Sequence, residues 1–431
     1  MDNTLPSEKM RFTDRFLAAA LGFYAVCTLF SMAAMSIGAV ILFAALLAKT
    51  GGPSGFLRLL GGELCEPWTR RYLYAALTLA LACLASLIGA RLSPVCFAGF
   101  CPDVHFAGDM AKTWYLFWPV VLAAGFRIAG GRTVSLAFKS WLLAFAALSV
   151  LGLFQYFLGW PRPQGIPGHE GWWHVTLFLG HHLSVSSIFI FPLLAAFDCA
   201  HASFNKNKRV LGLPGWFFIL AAGAGTVAVI WTYSRIVWIA MPAGILLWIL
   251  WRLPKKAALA LAAAVVIAGS VIWFNPAFQT RFNHSMGVYQ RQELWRVNME
   301  FFSLRPVTGV GWHHNLALFG HYKEQRFTMD IFSGHAHNNM IEMLASTGLA
   351  GATAWTAYCL LVFFMLGTVI HRSRQGRGPP LHFAPGLFCA WIIFHINGIT
   401  QVNFWESKVL HQIAWVLALS LLWLGKTRDK A

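Results

Sequence analysis

Long apolar runs recur along the whole chain, separated by short polar breaks, and this pattern limits the fold more than any other feature. As helices, such runs match the about 30 Å of hydrocarbon in a bilayer. Inside hydrocarbon every backbone amide needs an internal partner, which leaves helices or a closed barrel. The period-two alternation of barrel strands is absent from the sequence. The chain is therefore read as all-α, a single integral membrane domain over 1–431. Composition agrees: 58% of the 431 residues are hydrophobic and 11% are charged. Soluble domains carry about 25% charged residues.

About twelve spans are expected. They fall near 17–31, 33–48, 72–90, 113–127, 139–158, 174–199, 215–233, 236–251, 257–274, 349–370, 382–398 and 409–425. The first two are read as a hairpin, because 17–48 is too long for one ordinary span. The charge is strongly basic, with 33 Lys and Arg against 16 Asp and Glu. These cations are scattered singly between apolar runs, which argues for membrane lipid as a partner and against nucleic acid. Taken alternately, one set of loops holds nearly all the clusters: Lys9 to Arg15, Lys49 to Arg71, Arg127 to Lys139, Lys206 to Arg209, Arg252 to Lys256, Arg372 to Arg377, and Lys426 to Lys430. The positive-inside rule puts that face, with both termini, in the cytoplasm.

The opposite face keeps cations that topology disfavours: Arg91, Lys112, Arg162, Arg235, Arg281, Arg291, Arg296, Arg305, Lys323, Arg326 and Lys408. Histidines gather there too, among them His181, His182, His313, His314, His335 and His337. Both sets concentrate in the loop 275–336, so that loop is expected to carry the chemistry. Gln290 to Phe302 has helical periodicity, with Leu294, Val297 and Phe301 among its apolar positions. A partly helical lid lying on the membrane is the expectation. Cys96 and Cys101 share one short loop of this face and can pair if it meets an oxidising compartment.

Several motifs have two readings. Arg235, in the minimal turn Trp231-Thr232-Tyr233-Ser234-Arg235, either snorkels at a helix end or points inward to bind an anion. Arg296 follows Glu293 by three residues and can pair with it locally, which leaves Arg291 as the better anion ligand. Arg162, between Pro161 and Pro163, is an interfacial anchor or a phosphate ligand. The glycines of Arg305-Pro306-Val307-Thr308-Gly309-Val310-Gly311 suit close packing or positive φ. His337-Asn338, followed by Glu342, marks a helix N-terminus where a loop enters a span. A histidine there is either a satisfied surface residue or a functional group. His335 and His337 have a spacing that can ligate zinc. The outward acids form no Asp-x-Asp or Glu-x-Asp pair, so no metal and no cofactor is expected.

From Thr232 to Gly351 the chain resembles the O-antigen ligase and O-antigen polymerase superfamily. The resemblance rests on Thr232-Tyr233-Ser234-Arg235, on Arg291 and Trp295 leading into Arg305 to Gly311, and on His337-Asn338, Glu342 and Leu344 to Gly351. It implies a metal-independent glycosyltransferase of the GT-C-like class in the bacterial inner membrane. Such an enzyme moves a glycan from undecaprenyl diphosphate to a lipid A–core acceptor at the periplasmic face, in lipopolysaccharide biosynthesis. Carried over by motif, His337 is the catalytic histidine, and Arg235 and Arg291 bind the diphosphate. Arg291 is grouped with His337 as catalytic, Arg162 and Arg296 are further candidate diphosphate ligands read from the residues themselves, and Asn338 and Glu342 support His337. Whether His337 is a base or a diphosphate ligand stays open. Size and the His337 block favour a ligase over a polymerase extending lipid-linked glycan. The chain's end at Ala431, just past the last span, counts against a protein O-oligosaccharyltransferase. A transporter or flippase is the reading from another class; its polar residues would lie inside the spans.

Overall fold

The computed structural model describes residues 11–97, 99–166, 169–274, 279, 286–326, 335–375 and 383–425. The expected cytoplasmic termini and parts of the 275–336 loop lie outside them.

Nearly everything described is helical. Six helical stretches are long and apolar enough to cross a membrane: Met32–Thr50, Pro67–Leu92, Phe106–Leu158, His182–Asn205, Asn339–Arg374 and Ser407–Gly425. Gly215–Ile230, Val237–Arg252 and Ala384–Asn397 are shorter apolar helices. Helices Phe12–Cys27 and Lys255–Trp273 cover two further apolar runs. The runs 113–127 and 139–158 lie on two helical segments within Trp118–Leu158, which meet at the non-helical Gly130 with φ 77° and ψ 164°. Glycine alone adopts that conformation cheaply, so the chain can reverse there without a loop.

Local signals explain the starts and stops. The expected hairpin at the N-terminus is formed by Phe12–Cys27 and Met32–Thr50. Ser31 caps the second helix, accepting from the Ala34 N–H at 3.2 Å, and Gly51 ends it in the left-handed region. The Lys49 ammonium donates to Asp14, so the two helices run antiparallel. Pro53 and Pro67 open the next two helices, where a missing N–H costs nothing.

The lipid-facing sides keep large apolar residues such as Leu81, Phe154, Ile239 and Phe364 exposed, as a bilayer requires. The centre is aromatic, with Tyr24, Trp141, Trp391 and Trp415 fully buried. At one end of the bundle two more helices, Met286–Leu304 and His314–Arg326, close over the spans. Leu294, Val297 and Phe301, the apolar stripe read from the sequence, face a small separate core with Leu318, Phe319 and Tyr322. The antiparallel pair Gly165–Ile166 and His169–Trp173 lies at the same end.

Candidate functional site

The site is built on the first turn of the Asn339–Arg374 helix. Asn338 is the N-cap, its Oδ1 accepting from the N–H groups of Met340 at 2.9 Å and Ile341 at 3.0 Å. Its Nδ2 donates to the Ile399 carbonyl at 2.9 Å. Glu342 is 2% exposed and accepts the Ala336 N–H at 2.8 Å. A carboxylate in this first turn also complements the helix dipole. Asn339 Nδ2 donates to Asn403 Oδ1 at 2.7 Å. His337 is therefore clamped on both sides, and its φ of 49° falls in the left-handed region. Few residues other than glycine take that conformation without surrounding restraint.

The glycine block holds this turn from beneath. Gly348 breaks the helix at φ 64°, and Gly309 sits opposite at φ 68°. A Cβ on Gly309 would lie 2.4 Å from the Ser346 carbonyl carbon, and one on Gly348 would lie 2.4 Å from the Val307 carbonyl group. Val310 N–H donates to Ala345 O at 2.9 Å, and Leu349 N–H to Pro306 O at 2.8 Å. Both of the anticipated uses of these glycines, positive φ and close approach, occur at once.

The arginines divide. Arg291 is half-buried on the Met286–Leu304 helix and its charge bears directly on His337. Arg296, about 140° further round that helix, does not join it. Its guanidinium pairs with Glu293 at 2.8 Å and Glu300 at 2.6 Å on the exposed side. Local neutralisation, the first of the two sequence readings, is what the structure shows for Arg296.

Arg162 lies over the turn before His181: a Cβ on Gly180 would be 2.6 Å from its Nη1. Gln155 fixes this arrangement, donating to Arg162 O at 2.8 Å and Thr176 Oγ1 at 2.9 Å. It also accepts the N–H groups of Thr176 at 2.9 Å and Leu177 at 2.7 Å. Arg235 is half-buried in a turn whose Tyr233 takes a φ of 55°. His174 Nδ1 contacts Thr232 O at 2.9 Å and stacks on His182, which stacks on His181. A row of rings thus links the Arg235 turn to His181, whose charge in turn acts on His335 and His337.

Burial dominates the electrostatics. It pulls the His337 imidazole down to about 3, and His335, Arg291 and His181 push the same way. His335 is lowered to about 4 and His313 to about 3, again by burial first and then by nearby positive charge, Lys112 included. The His335 and His337 rings are 4.4 Å apart. At neutral pH these imidazoles are uncharged and able to accept a hydrogen bond, and an anion bound beside them would raise their affinity for a proton. Among the described residues no group of three or more His, Cys, Asp or Glu is arranged to hold a metal ion.

Sequence reasoning did not single out His181, Lys112 or Glu406 as site residues. Glu406 accepts a hydrogen bond from Ser184, and Lys408 lies 3.9 Å from it. The available signal was topological: Lys112 and Lys408 were already among the cations the positive-inside pattern leaves over. Cys96 and Cys101 form a disulfide. Phe100 in that loop stacks on His321, so the disulfide belongs to the same end of the bundle.

The helices and their apolar faces are those of an all-α membrane protein, with a histidine- and arginine-bearing site at one end of the bundle. Residues 217–356 match the family model for O-antigen ligase, and this match supports membership of the O-antigen ligase superfamily. That family implies glycosyltransferase-type activity on lipid-linked glycans. The match contains Arg235, Arg291, Arg296, His337, Asn338 and Glu342, and leaves Arg162 and Lys112 outside. No curated protein matches the chain.

Proposed function

We propose that this protein is an O-antigen ligase. It would transfer a glycan from undecaprenyl diphosphate to a hydroxyl of a lipid A–core sugar at the periplasmic face of the inner membrane. The observation that carries this is His337. It is an uncharged histidine clamped in a left-handed conformation, with Arg291 bearing on it, inside the segment that matches the family.

The chemistry follows from that geometry. The acceptor hydroxyl gives its proton to the neutral His337 imidazole as its oxygen attacks the anomeric carbon. The bond from that carbon to the phosphate oxygen breaks, and undecaprenyl diphosphate leaves with the electron pair. Arg291 and Arg235 stabilise the growing negative charge, with Arg162 at the rim. Fixed guanidinium groups in a water-poor site supply this without a metal. A single displacement inverts the anomeric centre. The neutral state of His337 favours the base role over an imidazolium ligand. Arg296 is left out, because its two carboxylate partners already satisfy it.

The same reading gives twelve crossings, a GT-C-like arrangement and both termini in the cytoplasm. The disulfide at the site end supports an outward orientation, since such bonds persist in oxidising compartments. The test is reconstitution of the purified chain with lipid-linked glycan and lipid A–core in excess chelator. Transfer to lipid A–core supports the proposal. Elongation of lipid-linked glycan alone selects the polymerase, and activity that needs an added divalent ion overturns metal independence.

A further inference from the structure

Lys112 is among the outward cations that take no part in the mechanism above. Lys112 lies in the 3-10 turn Met110–Leu116, which is pinned from several sides. Asp109 Oδ2 sits 3.5 Å from His314 Nε2. Thr113 is buried and donates to Met110 O at 2.8 Å. The Tyr72 hydroxyl donates to Leu116 O at 2.8 Å. The segment is thereby fixed against the His313–His314 turn, and the Lys112 side chain is half-buried beside it.

Neighbouring cations of this face have visible employment. Arg296 is paired with Glu293 and Glu300, Arg305 donates to Ser93 O at 2.7 Å, and Lys408 donates to Leu179 O at 2.6 Å. Lys112 makes no hydrogen bond or ion pair among the described residues. Two carboxylates feel its charge, Glu342 and Glu406. Each is already engaged, by the Ala336 N–H and by the Ser184 hydroxyl respectively. An ammonium carries three donors and no acceptor, and a half-buried one without a protein partner among the described residues can turn its donors to an incoming acceptor. The charge of Lys112 reaches His313 and His335, while that of Arg291 reaches His337. The two cations therefore act on one group of histidines.

We propose that Lys112 is a further binding residue of this site, contacting a phosphate group of a substrate. An ammonium is a compact point charge that suits a phosphate oxygen without demanding bidentate geometry. The phosphate could belong to the lipid-linked donor or to a phosphorylated acceptor. This inference rests on the transferase reading for its kinetic test, and a binding test stands apart from it.

The experiment uses the full chain in detergent, as wild type and as Lys112→Ala and Lys112→Arg. Inorganic pyrophosphate is the binding probe, titrated by calorimetry. Loss of one charge-assisted contact should weaken its binding about tenfold in Lys112→Ala. Lys112→Arg should recover most of that loss, which a merely structural role would not produce. In transfer assays the expected change is a KM about tenfold higher with kcat nearly kept. A rise confined to the donor assigns the contact to the diphosphate; a rise confined to the acceptor assigns it to an acceptor phosphate. Unchanged pyrophosphate affinity and unchanged KM for both substrates in folded Lys112→Ala overturn the proposal. Wild-type chain that binds pyrophosphate through Lys112 yet transfers no glycan would instead defeat the ligase reading alone.

Discussion

The two polar ends of the bundle handle charge in opposite ways. At one end, cations meet carboxylates or helix C-termini. Arg127 makes a two-pronged contact with Glu63 at 2.5 and 2.9 Å, and Glu63 is 2% exposed. Arg252 lies 3.0 Å from the fully buried Asp198, Lys49 pairs with Asp14, and Arg372 donates to Leu424 O at 2.9 Å. At the other end, half-buried histidines are kept uncharged by burial, with Arg291 and Lys112 beside them. Charge that is fully countered ties helices together. Charge set against neutral imidazoles leaves room for an incoming anion. By this criterion Arg296 behaves like the first end although it sits at the second, which is why it drops out of the proposed machinery.

Variants at the two ends should separate activity from stability. Among the arginines the largest effect is expected from Arg291→Ala, with transfer reduced about 100-fold or more in folded protein. Arg291→Lys should restore little, because a point charge cannot reproduce the planar fork. A merely structural Arg291 would instead lower the thermal midpoint and leave specific activity intact. Glu63→Ala should do the reverse of Arg291→Ala. It leaves a half-buried Arg127 without its carboxylate, for about 2 kcal/mol of destabilisation, read as a lower thermal midpoint in detergent with specific activity preserved.

The pH profile sharpens the contrast further. With the His337 imidazole lowered to about 3, kcat/KM should show no histidine-type fall between pH 8 and pH 5. An imidazolium acting as diphosphate ligand at its ordinary pKa of about 6.5 would give a rate that rises as pH falls. Stability should change with pH where activity does not. Below pH about 6.5 the unfolded chain protonates these histidines, whereas the folded chain resists until far lower pH, so stability declines with acid. The smallest effect is expected at Arg296: Arg296→Ala should keep transfer within about threefold, since exposed pairs contribute at most about 1 kcal/mol. A loss comparable to that of Arg291→Ala would return Arg296 to the site.

Much of this was legible in the sequence, and the exceptions have physical causes. The apolar runs and the stripe Leu294, Val297, Phe301 reappear as helices and as buried faces because periodicity is a local property. The glycine at 309 could be recognised as a place of positive φ or close approach. That it faces Gly348 could not, since the contact joins segments distant in sequence. Arg296 was read against Glu293, but Glu300, one turn further on, completes its neutralisation. Lys112 carries no motif and stands alone in its segment. Only the groups its charge reaches, His335 and Glu342 from one stretch and Glu406 from another, lead to the proposal that it serves the site.

The most direct measurement is glycan transfer to lipid A–core by purified His337→Ala protein whose thermal midpoint matches wild type. Loss of the base should reduce the rate about 1000-fold with undecaprenyl-diphosphate-linked donor still bound. Transfer at the wild-type rate by that folded variant would contradict the account.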